Sequence, residues 1–169
     1  MKIIILNGKG TVGKDTFAQQ LSSLCKTKIY STIDNIKQIA LNDFQWDGVK
    51  DFKGRKLLSD LKLASMNYNE KPYNDMIDAI LKAQEDNFDL FICMIRDISE
   101  IEKISNDDRF INDVFTVIIT SENTKNVSFG NVADDSVFDF IYDYYIYNDG
   151  TIQDLHDSAI NLIHELQIN

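Results

Sequence analysis

Residues 3–16 read IIILNGKGTVGKDT, and this stretch leaves the chain little choice of fold. Ile3 to Leu6 are an unbroken apolar run, the pattern of a strand buried on both faces. Gly8, Gly10 and Gly13 follow, and helical periodicity then sets in through Phe17, Leu21 and Leu24. A tight turn between a buried strand and a helix converges several backbone N–H groups on one point, and the helix N-terminus adds about half a positive charge there. Glycines are required because side chains would block an approaching anion and because some positions need positive φ. The stretch is built to hold phosphate.

Two spacings coexist in it. Gly8, Gly10 and Gly13 spell GxGxxG, the turn of dinucleotide-binding folds, and Asp34 lies at a suitable distance downstream to hold a ribose. Gly8 and Gly13-Lys14 spell GxxxxGK, the P-loop of nucleoside triphosphate-binding proteins. Lys14 decides for the second reading, because a lysine directly after the last glycine is placed to reach β- and γ-phosphates. Asp15 then stands where that pattern has serine or threonine, with Thr16 next.

The rest of the chain continues the α/β theme. The apolar runs DLFICMI (89–95) and VFTVIIT (114–120) lack alternation and read as further buried strands. KIYSTID (28–34) supplies a second strand, closed by Asp34, and FDFIYDYYIY (138–147) a final buried one. Between them lie helix-period segments, with Ile36, Ile39 and Ala40, then Leu57, Leu58, Leu61 and Ala64, then Met76, Ile77, Ile80 and Leu81 behind Pro72. Ile152, Leu155, Ala159, Leu162 and Leu166 make a closing amphipathic helix. The order predicts a doubly wound parallel sheet of about five strands with helices on both faces. Ligands of such sheets bind beyond the carboxyl ends of the strands.

At 169 residues with one proline and seven glycines, the chain reads as a single domain, 1–169, without a linker. A net charge of −10 argues against binding a nucleic-acid polymer but not against a small anion in a local positive pocket. The first apolar run is too short for a signal peptide, and no run approaches the about 18 apolar residues that span a bilayer. A cytoplasmic protein without a membrane partner is expected. Cys25 and Cys93 sit in apolar stretches and read as buried thiols. His156 and His164 read as surface or capping residues of the closing helix.

GKGTVGKDT resembles the GKD[ST] variant of the P-loop in the deoxynucleoside monophosphate kinases of phages and related small-metabolite kinases. A looser likeness to that nucleoside monophosphate kinase-like group extends through DNIKQIAL, GRKLLSDLK, IRDISEIEKI and YDYYIYNDGTIQDLHDSA. The resemblance implies ATP and Mg²⁺ as cofactors, held by Gly8, Gly10, Gly13, Lys14, Asp15 and Thr16. Lys14 would bind the β/γ-phosphates, Thr16 would touch the α-phosphate side, and Asp15 would reach the metal directly or through water. Asp15 has a simpler alternative role, favouring the helix N-terminus electrostatically.

The same resemblance points to further site residues. Arg96 and Asp97 follow the strand ending in DLFICMI, where P-loop proteins deliver an acid toward Mg²⁺, so Asp97 joins Asp15 as a metal-ligand candidate. A mutual ion pair is the alternative for Arg96 and Asp97. Asp34, Arg55 and Arg96 are the acceptor-binding candidates, with Arg55 in a helical insertion at about 44–86; for Asp34 the alternative is a helix cap. Lys14, Asp15, Arg96 and Asp97 form the expected catalytic set. A lid is expected at about 121–137, and that stretch holds no arginine and only Lys125 as a cation, so Lys125 and Arg96 would have to supply its charge. Asn131–Asp134 resembles an NxAD segment. The reading is transfer of the γ-phosphoryl group of ATP to a small phosphorylated acceptor, foremost a (deoxy)nucleoside monophosphate. Alternatives are a kinase for another small metabolite, such as dephospho-coenzyme A or a phosphorylated alcohol, and a catalytically weak ATP-binding regulatory protein.

Overall fold

The computed structural model describes residues 1–125, without the side chain of Lys125, and 136–168. Most of the expected lid, including Asn131–Asp134, lies outside these residues. In chain order the elements are β1 (Lys2–Asn7), α1 (Lys14–Leu24), β2 (Thr27–Ser31), α2 (Asp34–Asp43), α3 (Phe52–Asn69), α4 (Lys71–Glu85) and β3 (Leu90–Met94). These are followed by α5 (Ile98–Ser105), β4 (Val114–Thr120), α6 (Glu122–Lys125), β5 (Tyr144–Tyr147) and α7 (Ile152–Glu165). They divide into two compact units, one formed by Met1–Tyr30 with Ala83–Asn169 and the other by Ser31–Lys82.

The first unit is a parallel sheet of strand order β2-β3-β1-β4-β5. Leu6 pairs with Met94, the last residue of β3, and Asn7 with Ile118 of β4, so β1 and β3 end within a residue of each other while β4 continues two residues further to Thr120. The chain winds to one side of β1 for β2 and β3 and to the other for β4 and β5. The crevice at the carboxyl end of β1 is therefore where the winding reverses.

Strand pleating sends alternate side chains to opposite faces, which accounts for the apolar runs. Ile4, Leu6, Leu90, Ile92, Val117 and Ile119 form one face, packed with Phe17, Ala18 and Leu21 of α1 and with Leu155, Ala159 and Leu162 of α7. Ile3, Ile5, Phe91, Cys93 and Ile118 on the other face are equally buried, and α5 lies against β4 with Ile101 and Ile104 buried. Full burial of a side chain such as Phe17 or Leu21 contributes roughly 1.5–3 kcal/mol, and this anchors α1 behind the glycine loop.

Three details depart from the pattern reading. Leu24, Ile39 and Leu81 are exposed at helix margins, because each stripe is narrower than its apolar residues suggested. β5 is an edge strand rather than a buried one, with Tyr145 and Tyr147 facing outward. Cys25 is only half-buried, and burial raises its thiol pKa.

The second unit is helical. Ile36, Ala40 and Leu58 form its core, with Ile33, Trp46, Leu57 and Leu61 packed around them. Asp51 caps α3 by accepting from the Gly54 amide at 2.7 Å, and Asn35 donates to Asp75 at 2.8 Å. Among the described residues no helix is long and apolar enough to cross a membrane.

Candidate phosphate-binding site

The loop from Gly8 to Gly13 leaves the central strand β1 and enters α1 directly. Gly8 has φ 140° and Gly13 φ 98°, both in the region that favours glycine, whereas Gly10 does not have positive φ. The two glycines with a conformational need are thus those of GxxxxGK, and the middle glycine of the dinucleotide pattern has none. Space adds a second constraint at both of these glycines. A Cβ on Gly8 would stand 2.5 Å from the Ile119 carbonyl oxygen, and one on Gly13 would overlap Asn148 Nδ2. Thr11 is a left-handed non-glycine residue at φ 62°, a conformation that costs of order 1–3 kcal/mol and gathers at ligand sites.

Gly13 is the N-cap of α1 and gives it no side-chain cap. The first-turn amides of a helix lack intrahelical partners by construction, and here they stand at the reversal point of the sheet with the dipole behind them. Lys14 completes the positive cradle. It is 9% exposed and donates its Nζ to the Gly8 carbonyl at 2.5 Å and the Lys9 carbonyl at 2.6 Å, so the ammonium lies folded over the loop. Asp15 is exposed on the first turn of α1, and Thr16 is half-buried beside it. Lys9 is buried as well, with its ammonium 5.5 Å from the centroid of the Phe138 ring.

Three supporting residues were not foreseen from sequence. Asn7, fully buried at the end of β1, accepts from the Gly8 amide at 2.7 Å and donates Nδ2 to the Tyr142 hydroxyl at 2.7 Å. Tyr142 in turn donates to the Val137 carbonyl at 2.9 Å. Burial pushes the Tyr142 phenol up to about 12, against the opposing hydrogen bond from Asn7. At the other end of the loop, Asn148 donates Nδ2 to the Val12 carbonyl at 3.0 Å, and its backbone amide bonds the Thr120 carbonyl at 2.8 Å. Asp149 then accepts from Ser121 Oγ at 2.7 Å and from the Glu122 amide at 2.9 Å, fixing the start of α6.

The sheet register brings Arg96 and Asp97 out at the end of β3, beside β1. Arg96 is half-buried. Asp97 is the N-cap of α5, where its Oδ1 accepts from the Ser99 amide at 2.9 Å and from Ser99 Oγ at 2.6 Å. Among the described residues no three or more His, Cys, Asp or Glu side chains cluster as a metal site. Asp15 and Asp97 are hard oxygen donors suited to Mg²⁺, and the rest of such an ion's shell would come from phosphate and water.

Asp34 and Arg55 belong to the helical unit. β2 stops at Ser31, so Asp34 does not close the strand; it is the first residue of α2, after the N-cap Ile33, and pairs with Lys37 at 2.6 Å. Arg55 lies on the first turn of α3, half-buried, with Nε donating to the Lys50 carbonyl at 2.9 Å. His156 meets Gln20 at 2.8 Å, joining α7 to α1.

No family model matches the sequence, and no curated protein does. Solved structures do match the fold. A sugar kinase from Janibacter sp. HTCC2649 superposes with a TM-score of 0.56 at 9% identity, covering 99% of this chain and 95% of that one. Dephospho-CoA kinase from Campylobacter jejuni gives 0.56 at 17% identity, with 98% and 97% covered, and shikimate kinase from Aquifex aeolicus gives 0.54 at 10%, with 99% of both covered. The chain therefore shares its α/β fold with these three kinases over 98–99% of its length.

Proposed function

We propose that the chain is a small-metabolite kinase that transfers the γ-phosphoryl group of ATP. One observation carries the reading: an uncapped helix N-terminus at the reversal point of a parallel sheet, entered through two positive-φ glycines and roofed by the Lys14 ammonium. The structural similarity to kinases of a sugar, shikimate and dephospho-CoA supports a small acceptor. The acceptor we favour is a (deoxy)nucleoside monophosphate, on the strength of the GKDT variant. In that scheme Asp34, Arg55 and Arg96 contact the acceptor.

The loop amides and Lys14 would hold the β- and γ-phosphates in place and spread their charge. Asp15 and Asp97 would hold the Mg²⁺ that accompanies ATP, whose chemistry is charge neutralisation. An acceptor phosphate oxygen attacks the γ-phosphorus in line, the bond to the β,γ-bridging oxygen breaks, and ADP leaves. An anionic phosphate acceptor needs no general base, so catalysis reduces to positioning and electrostatics.

A second reading rests on the composition of residues 121–137, which contain no arginine. An absent arginine finger is worth about a thousandfold or more in rate, so a nucleotide-binding regulator with residual turnover also fits. Thermal shift with ATP·Mg²⁺ and each ribo- and deoxyribonucleoside monophosphate, followed by coupled ADP detection, separates the readings. ATP stabilisation with turnover of a monophosphate supports the kinase. ATP stabilisation with no acceptor converted supports the regulator, and absence of any ATP shift sinks both.

A further inference from the structure

We propose that Tyr142 and Asn148 are positioning residues for triphosphate binding, clamping the two ends of the phosphate loop from the two ends of β5; the inference rests on the phosphate-loop reading above. β5 is not a neighbour of β1, because β4 lies between them. Even so, Tyr142, just before β5, bonds Asn7 at the loop's entry, and Asn148, just after β5, bonds the Val12 carbonyl at its exit.

Each contact has a definite direction. Asn7 Oδ1 is committed to the Gly8 amide, so its Nδ2 is the group that meets Tyr142, and the phenol proton goes to the Val137 carbonyl. The orientation of the Asn7 amide, and with it the first peptide of the loop, is thereby set from outside. At the exit, the C=O and N–H of a trans peptide point in opposite directions. Turning the Val12 carbonyl onto Asn148 therefore points the Gly13 N–H away from Asn148. That amide immediately precedes Lys14. The close fit between Asn148 and the Cβ-less face of Gly13 holds the same peptide in its left-handed turn.

The test is titration of the full chain with a fluorescent ATP analogue and Mg²⁺, displaced by unlabelled ATP or by inorganic tripolyphosphate. It is run well below each variant's unfolding temperature, with circular dichroism confirming the fold. Asn148→Ala is expected to weaken both ATP and tripolyphosphate about tenfold. Asn148→Asp, of the same shape but facing the Val12 carbonyl with an acceptor, weakens them at least as much. Tyr142→Phe, which keeps the ring, weakens them about threefold. Leu162→Ala, a core change in α7 remote from the loop in sequence, lowers stability but keeps wild-type affinity, as a purely structural role would. Wild-type affinity in folded Tyr142→Phe and Asn148→Asp overturns the clamp and leaves the phosphate reading intact. Weakening of ATP without weakening of tripolyphosphate also overturns it, because the effect then lies on the nucleoside. Failure of the wild type to bind either probe overturns the phosphate reading itself.

Discussion

Replacing Gly13 with alanine tests the loop geometry in free energy. At φ 98° and ψ 18°, an L-residue costs roughly 1–2 kcal/mol over glycine. The new methyl would overlap Asn148 Nδ2 and must displace it, breaking the 3.0 Å bond to the Val12 carbonyl, a further loss of about 1 kcal/mol. The sum is about 2–3 kcal/mol, a large part of the roughly 5–15 kcal/mol typical of a domain. It corresponds to about 5–10 °C in Tm for a chain of this size. Urea unfolding should be followed by far-UV circular dichroism, because the single tryptophan, Trp46, reports only on the helical unit. The double-mutant cycle with Asn148→Ala is the sharper measurement. Once Asn148 is truncated the overlap is gone, so Gly13→Ala should then cost only its backbone share, leaving a coupling of about 1 kcal/mol. A cost of Gly13→Ala below about 0.5 kcal/mol, or a cycle additive within about 0.5 kcal/mol, refutes the geometry from which the argument starts.

Other expectations follow from the same contacts. Saturation of the wild type with ATP·Mg²⁺ at a hundredfold over Kd should stabilise it by about 2.7 kcal/mol, and Lys14→Ala should lose most of that; equal thermal shifts in both would contradict the assigned loop. The Tyr142 phenol is raised to about 12 in the folded chain, so between about pH 10 and 12 the unfolded state has lost a proton that the folded state keeps. Stability must fall with rising pH across that window by up to about 2–3 kcal/mol, and the excess slope over Tyr142→Phe in alkaline urea titrations measures it. Leu21→Ala removes a fully buried contact between α1 and the sheet and should cost about 2–5 kcal/mol. Tyr68→Ser, at an 88% exposed position, should stay within about 0.5 kcal/mol in the same urea assay.

What the sequence made legible was whatever depends on neighbours along the chain. Buried parallel strands announce themselves as runs such as VFTVIIT, because both faces of the sheet demand apolar groups at successive positions. Gly8 and Gly13 were legible because a phosphate turn requires their φ values. Gly10 counted equally in the pattern and turned out to need no special conformation. The edge position of β5 was not legible, since an aromatic-rich segment reads alike whether one face or two is covered. Nor was the setting of Asp107 legible: it is largely buried and receives two hydrogen bonds from the Arg109 guanidinium, at 2.8 and 2.6 Å. Asn7, Tyr142 and Asn148 carry no local signature, because their partners stand 135 or 136 residues away and one amide or phenol looks like any other until the sheet is closed. Asp97 read as a metal-ligand candidate, while its cap role needed only Ser99 two residues on.

Lys14 shows how the closed sheet changes the energetics of the site. A lysine ammonium is strongly hydrated, and removing that hydration is normally part of the cost of binding phosphate. Here the ammonium is already buried and already bonded to the carbonyls of Gly8 and Lys9, so folding rather than binding has met much of that cost. Replacing neutral carbonyl acceptors with phosphate oxygens exchanges hydrogen bonds in which only the donor is ionised for ones in which both partners are, and the opposite charges add their attraction. The exchange is favourable only if the loop amides keep their directions while the lysine shifts its bonds. Pinning the loop at both ends from β5 meets that condition, and a loop held by Lys14 alone would not.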